Sequence, residues 1–302
     1  MLPIAHNGWM RHSPLRNSQT RYVGRLAPSP TGLLHLGHAT TFWTAFERAQ
    51  AAGGKLLLRI EDLDTQRSRP HFTAAILEDL AWLGIAWQLP VIYQSQRLEF
   101  YRNALEQLLR AGLVYPCHCS RKDLASMMHA PHEAAGDVDD ERVYPGICRP
   151  PLDLSQPATL FQAGVNYRFR VSIPKHTAIH FEDRNLGPQR FVPGVDFGDF
   201  LVWRKDDLPS YQLACVVDDA ETGITEVVRG QDLLKSTARQ ILLQRALRLS
   251  SPDYFHTRLI TDENGVRLAK RHDALAVRTL REQGSSAAKV KEQGIERSCR
   301  PV

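Results

Sequence analysis

The chain has 302 residues, 43% hydrophobic and 24% charged, with 38 Lys and Arg against 33 Asp and Glu for a net charge of +5. That composition is globular, with chain enough for one large domain or two modest ones, and it excludes fibrous and wholly disordered architectures. No run reaches the roughly 18–20 apolar residues needed to span a bilayer, and the opening MLPIAHNGWMRHSPLRNSQT has no apolar core with a small-residue cleavage site, so a cytoplasmic protein without a membrane partner is expected.

In chain order, residues 1–19 lack periodicity and are expected to form a disordered leader. Tyr22–Leu26 predicts a short strand, 38–54 a helix ended by a glycine pair, and KLLLRIED (55–62) a continuous apolar strand ending in acids. Phe72, Ile76, Leu80 and Leu83 recur at helical spacing over 70–85, with Pro70 suited to the first turn. A strand at 91–95 and an amphipathic helix at 97–112 follow. This strand–helix alternation predicts a parallel sheet with helices on its faces.

From Tyr115 to about Pro157 the pattern breaks into prolines, clustered cysteines and the acidic run GDVDDE (136–141). Strand-like segments return at 165–173, 198–204, 211–219 and 223–230, and a helix is expected at 235–250. The small, polar stretch from Gly284 reads as a disordered tail. No internal repeat is visible.

Two segments carry chemistry. In RLAPSPTGLLHLGHAT (25–40) a strand ends, two prolines stiffen a turn, glycines permit close backbone approach, and a helix begins after Gly37. A helix N-terminus offers unpaired N–H groups and a positive dipole end to an anion, and His35 and His38 can donate to phosphate oxygens. There is no Gly-Lys-Ser/Thr, so the segment is not a P-loop. Cys117, Cys119 and Cys148 fall within 32 residues, and the odd total of five cysteines argues against a disulfide framework. Three soft donors suit tetrahedral zinc, with His118, His129, His132 or Tyr144 as a fourth ligand. HAPHEAAG (129–136) lacks the second histidine of a zinc-protease helix.

The string Pro-Ser-Pro-Thr-Gly followed by His-Leu-Gly-His resembles the "HIGH" region of class I aminoacyl-tRNA synthetases, specifically the glutamyl-tRNA synthetase branch. LLLRIEDLDTQRSR (56–69) resembles that branch's second conserved block. RLAKR (267–271) sits where the family carries its "KMSKS" loop; Arg267 and Ala269 depart from the pattern and Lys270 is kept. The resemblance covers about residues 21–283. It implies an α/β fold: a Rossmann-like parallel-sheet core over 20–114 and 195–283, an inserted zinc-containing, acceptor-type subdomain over 115–194, and a short C-terminal helical part before the 284–302 tail.

The resemblance also implies ATP and Mg²⁺, with His35, Gly37, His38 and Lys270 at the nucleotide and His35, His38 and Lys270 catalytic. Glutamate would be held by Arg25, Ala27, Ser29, Glu61, Tyr211 and Arg229: Arg25, Tyr211 and Arg229 at its side-chain carboxylate, Ser29 and Glu61 at its amino group. Fixed guanidinium forks and one acid are what such a dicarboxylate ammonium ion requires. Shorter relatives in the branch carry Cys-x-Cys followed by Tyr-x-x-x-Cys, which Tyr144 and Cys148 match, implying one structural zinc on Cys117, Cys119, Tyr144 and Cys148.

Lys270 is followed by 32 residues, whereas a helical anticodon-binding domain needs on the order of 100 or more. The expectation is therefore a core without an anticodon domain, like the truncated paralogues that activate glutamate without tRNA and attach it to the queuosine base at the wobble position of tRNA(Asp). Its partners would be L-glutamate, ATP and that anticodon stem-loop, and it would be a monomer. A minimal enzyme charging a tRNA 3′ end, and an inactive RNA-binding module, are the alternatives.

Overall fold

The computed structural model describes residues 21–120, 143–151, 160–172, 177–260 and 276–298. The expected leader, the acidic run, His129, His132, Lys270 with its flanking motif, and residues 299–302 lie outside them.

The first half alternates as the periodicity predicts: β1 (Val23–Leu26), α1 (Leu36–Ala51), β2 (Lys55–Ile60), α2 (Pro70–Trp82), β3 (Gln88–Tyr93) and α3 (Leu98–Arg110). The three strands pair in parallel in the order β1-β2-β3. Leu58 and Ile60 on one face of β2 and Arg59 on the other are all buried, as a strand covered on both faces requires. After α1 the chain reverses at Gly53, whose φ of +57° favours glycine, and an added Cβ at Gly54 would collide with the Tyr22 carbonyl.

A second sheet runs β7-β6-β10-β9, from β6 (Ile179–Asp183), β7 (Gly187–Phe191), β9 (Glu226–Gly230) and β10 (Asp253–Thr257). β10 is parallel to both β9 and β6, and β7 returns antiparallel along β6. The two sheets meet where β9 approaches β1: the Thr225 N–H donates to the Val23 carbonyl at 2.8 Å, and the Val23 N–H donates to Thr225 Oγ1 at 2.9 Å. A small antiparallel sheet joins β4 (Val114–Cys117), β5 (Asn166–Phe169) and β8 (Phe200–Trp203). The chain thus crosses between sheets: β6 and β7 pair with strands of the parallel layer, and β8 pairs with the small sheet.

Two expectations are corrected. Residues 211–219 form not a strand but the start of α4 (Tyr211–Glu221), whose N-cap Ser210 accepts from the Leu213 N–H. The helix is buried nearly all round, so its polar residues do not mark a solvent face. Asp218, fully buried, accepts from Gln94 Nε2, Arg97 Nε and the Tyr101 hydroxyl at 2.8, 2.6 and 2.8 Å. Beyond α5 (Leu234–Ala246) and α6 (Val277–Glu282), the segment read as a disordered tail forms α7 (Ala287–Ser298). Val290 of α7 is buried in the α1–α2 core, an added Cβ at Gly294 would run into Thr40 of α1, and Lys291 pairs with Glu47. Tertiary packing supplies what a weakly amphipathic dozen residues lack alone.

The main cores lie on the two sides of this layer. One joins α3, α4, α5 and the small sheet; the other joins α1, α2, β1 and β2. A third cluster contains only Tyr115, Cys117 and Tyr144 as buried members. Among the described residues no helix is long and apolar enough to cross a membrane.

Candidate active site and cysteine cluster

His35 is the N-cap of α1. Its Nδ1 accepts from the Gly37 N–H at 3.1 Å, while the His35 N–H donates to His38 Nδ1 at 3.3 Å. The rings stack with centroids 3.7 Å apart. With both Nδ1 atoms accepting, a neutral ring must carry its proton on Nε2, so each histidine has an Nε2 donor at a positive helix end. The first turn of α1 holds no acidic residue. A Cβ on Gly37 would sit 3.1 Å from the His35 ring, so the close stacking depends on glycine there. The loop before the helix is tied to the end of β2: the Glu61 N–H donates to the Pro28 carbonyl at 2.9 Å and the Arg69 N–H to the Pro30 carbonyl at 3.0 Å. The chain resumes at Ala276, which forms a bridge with His35, and the Val277 N–H donates to the Leu34 carbonyl.

The ends of β1, β2 and β9 bring Arg25, Ala27, Glu61 and Arg229 to the carboxyl edge of the parallel strands, the usual ligand edge of such sheets, and Tyr211, the first residue of α4, meets Arg229 there. Arg25, 4% exposed, donates from Nη1 to the Val228 carbonyl at 2.9 Å, which ties β1 to β9. Arg229, 5% exposed, donates from Nη1 to the Tyr211 hydroxyl at 3.2 Å, from Nη2 to Thr237 Oγ1 at 2.7 Å and from Nε to His256 Nε2 at 3.3 Å. Glu61 Oε1 accepts from Arg59 Nη2 at 3.0 Å and from the Cys215 thiol at 3.4 Å. Burial first, then the adjoining Glu61 carboxylate, pushes the Cys215 thiol up, so it stays protonated. Ser29 is exposed on the turn next to Pro28 and is thereby held near Glu61.

Sequence reading missed five residues that organise this pocket. Arg59 donates to Asp219 at 2.6 Å, and Asp219 lies 3.6 Å from Arg25. Thr237 and His256 bond Arg229, and Asp183 holds His256 from behind. Arg59 could have been suspected as a charge inside an apolar strand; no local signal links Asp183 to a histidine 73 positions on.

The cysteine cluster is a separate place in the fold. Among the described residues Cys117, Cys119 and Cys148 bring their sulfurs within 4.8 Å of one another. The Tyr144 hydroxyl lies 3.6 Å from both Cys117 and Cys119 and accepts the Cys148 N–H at 3.0 Å. Tetrahedral zinc with Zn–S of about 2.3 Å separates its ligands by roughly 3.8 Å, so this donor set fits the ion. Burial alone would raise the Cys148 thiol, but the His118 backbone N–H and hydrogen bonds from Cys119 and Tyr144 outweigh it and bring it to about 7, while burial pushes Cys119 up to about 11. Arg168 donates to Cys117 Sγ at 3.3 Å and lies 4.0 Å over the Tyr144 ring, placing positive charge beside the donors. Of the candidate fourth ligands, Tyr144 brings its side chain to the thiols and His118 meets Cys148 through its backbone N–H, while His129 and His132 lie outside the described residues.

Against known proteins, the model for the class I tRNA synthetase (E and Q) catalytic domain matches residues 21–292. A Rhodobacter capsulatus protein named glutamyl-Q tRNA(Asp) synthetase is 43% identical over 278 residues, covering 89% of this chain and 98% of that protein. A Symbiobacterium thermophilum protein of the same name is 45% identical, covering 87% and 82%. A crystal structure of a glutamate tRNA ligase from Elizabethkingia meningosepticum in complex with its amino acid superposes with a TM-score of 0.68 at 30% identity, covering 83% of this chain; the chain spans 52% of that ligase's length.

Proposed function

This chain belongs to the class I tRNA synthetase (E and Q) catalytic-domain family, and we propose that it activates L-glutamate with ATP and transfers it to the queuosine base of tRNA(Asp). The observation that carries the glutamate reading is Arg229: a buried guanidinium whose hydrogen-bond partners among the described residues are all neutral. A buried cation of that kind favours an anionic ligand to complete it. The tRNA(Asp) reading rests on relatives of that name matched over 98% and 82% of their lengths.

Activation is attack of a substrate carboxylate on the α-phosphate, with pyrophosphate leaving. The nucleophile is already ionised, so catalysis consists of positioning and of stabilising charge that develops on the phosphates. Arg25, Tyr211 and Arg229 hold the side-chain carboxylate, Ser29 and Glu61 the amino group, and Ala27 lines the same turn. His35 and His38 donate from Nε2 to phosphate oxygens at the α1 N-terminus, where Gly37 lets the backbone approach; Lys270 adds a cation from outside the described residues. Mg²⁺ would supply further charge neutralisation on the phosphates. Cys117, Cys119, Tyr144 and Cys148 would hold one structural zinc, all four positions being filled by protein.

The test is the acceptor. Purified protein is expected to catalyse glutamate-dependent ATP–pyrophosphate exchange without tRNA and to label queuosine-containing tRNA(Asp) in a bond lost on base removal but kept on 3′-end trimming. Label on the 3′ end of tRNA(Glu) would replace this reading with a minimal tRNA-charging enzyme. Substituting His38→Ala is expected to slow exchange on the order of 10²–10³-fold. Chelation is expected to release one zinc per chain and to loosen the region around β4, read as faster amide exchange there; a metal-free protein with unaltered exchange would remove the zinc assignment.

A further inference from the structure

Arg229 has five N–H donors. Three are engaged by the described residues: Nε by His256 Nε2, one Nη2 hydrogen by Thr237 Oγ1, one Nη1 hydrogen by the Tyr211 hydroxyl. One hydrogen on each terminal nitrogen remains, the pair a carboxylate can accept bidentately. All three protein acceptors are neutral, and among the described residues no carboxylate forms an ion pair with this guanidinium, whereas Arg59 reaches Glu61, Asp218 and Asp219. The surroundings orient the Arg229 fork without neutralising it.

That orientation has a source. His256 can accept from Arg229 only through an unprotonated Nε2, which requires the ring proton on Nδ1. Asp183 Oδ2 takes that proton's hydrogen bond at 2.6 Å. Asp183 is itself fixed by the His256, Asn185 and Leu186 backbone N–H groups at 3.1, 3.0 and 2.8 Å, and the Asn185 amide donates back to the His256 carbonyl at 2.8 Å. The β6–β7 turn is therefore built around one histidine tautomer, and Thr237 Oγ1, 3.1 Å from His256 Nε2, closes the same edge of the guanidinium.

We propose that His256, held in its Nδ1–H tautomer by Asp183, acts with Thr237 as a positioning set for glutamate recognition, aiming the free fork of Arg229 at the substrate's side-chain carboxylate. The proposal rests on the glutamate-activating reading of the site. None of the three residues touches the substrate; each acts through Arg229. Because the fork is immobilised at a fixed depth, the set also selects carboxylate chain length, so its loss should relax the preference for glutamate over aspartate.

The experiment measures glutamate-dependent pyrophosphate exchange in Thr237→Val, Thr237→Ser and Asp183→Asn variants that melt near the wild-type temperature. Thr237→Val removes the Nη2 acceptor at nearly constant shape. In Asp183→Asn the amide oxygen stays with the turn N–H groups and the amide nitrogen faces the ring, which moves the ring proton to Nε2 and sets N–H against N–H. Both variants are expected to raise the KM for glutamate about tenfold or more with the KM for ATP unchanged, and Thr237→Ser to keep a KM close to wild type. Ring ¹⁵N spectra should show His256 protonated on Nδ1 in the wild type and on Nε2 in Asp183→Asn. An unchanged glutamate KM in Thr237→Val and Asp183→Asn, or a wild-type ring protonated on Nε2, overturns the proposal while leaving the activity standing. A wild-type protein inert with glutamate removes the activity and the proposal together.

Discussion

Arg59 and Arg229 are two buried arginines on strands of the same parallel layer, and their neighbourhoods differ in charge. Arg59, inside β2, is surrounded by Asp219 at 2.6 Å, Glu61 at 3.0 Å and Asp218 at 3.7 Å. Among the described residues Arg229, at the end of β9, hydrogen-bonds a phenol, a threonine hydroxyl and an imidazole, lies 5.6 Å over the Tyr254 ring, and forms no ion pair. Each guanidinium loses its water; among the described residues only the first is compensated by ion pairs. On the proposed function, the contrast separates a cation that holds the fold together from one kept ready for a ligand, a distinction that residue type and burial alone do not make.

Replacing each arginine by methionine tests that contrast most directly. Arg229→Met is expected to lower kcat/KM for glutamate on the order of 10³-fold, about 4 kcal/mol, yet to leave the melting temperature unchanged or raised, because no buried carboxylate loses its partner. Arg59→Met leaves Asp219, Asp218 and Glu61 without their shared cation and is expected to cost about 3–5 kcal/mol of stability in denaturant titration. Equal destabilisation by the two substitutions would erase the distinction.

A smaller effect sharpens it from the side of His256. Burial, then the Arg229 charge, brings this histidine down to about 4, against the partial opposition of Asp183. The groups facing it are Asp183 from β6, Arg229 and Thr237 from β9 and α5, Tyr254 from its own strand and, further off, Arg25 from β1. Since the folded value lies below the unfolded one of about 6.5, the unfolded chain binds more protons between those limits. The stabilisation is complete above pH 6.5 and is lost as pH falls toward 4, a contribution of about 3 kcal/mol. Urea unfolding across that window should show a shallower acid loss in His256→Gln than in the wild type; parallel curves would place the neutral ring outside the stability balance.

How much of this could be read in advance follows from range along the chain. The β1–α3 alternation was legible because each element's apolar spacing is local, as at Phe72, Ile76 and Leu80. α4 was not: Gln212, Asp218 and Asp219 turn inward to partners such as Gln94 and Tyr101, so the 3.6-residue signature vanished and Val216-Val217 imitated a strand. α7 was missed because its order comes from Thr40 and the α1 surface rather than from its own residues. In the site, His35, His38, Arg25 and Glu61 stood in contiguous motifs. Asp183, Thr237 and His256 were invisible because their meaning lies in an arginine 46 positions beyond the first and 27 before the last.

The edge contact between β1 and β9 also bears on synthesis. Arg25 is made early but finds its Val228 partner some two hundred residues later, and Arg229 acquires its His256 acceptor only when β10 exists. The β1–β3 layer can form on a nascent chain from neighbouring segments; the proposed glutamate pocket cannot close until translation has passed Thr257. Such long-range pairings form slowly and leave strand edges open meanwhile. For most of its birth, then, this protein carries an unpaired β1 edge beside the unfinished proposed site, and that is the interval in which a chaperone or a premature stop would have its greatest effect.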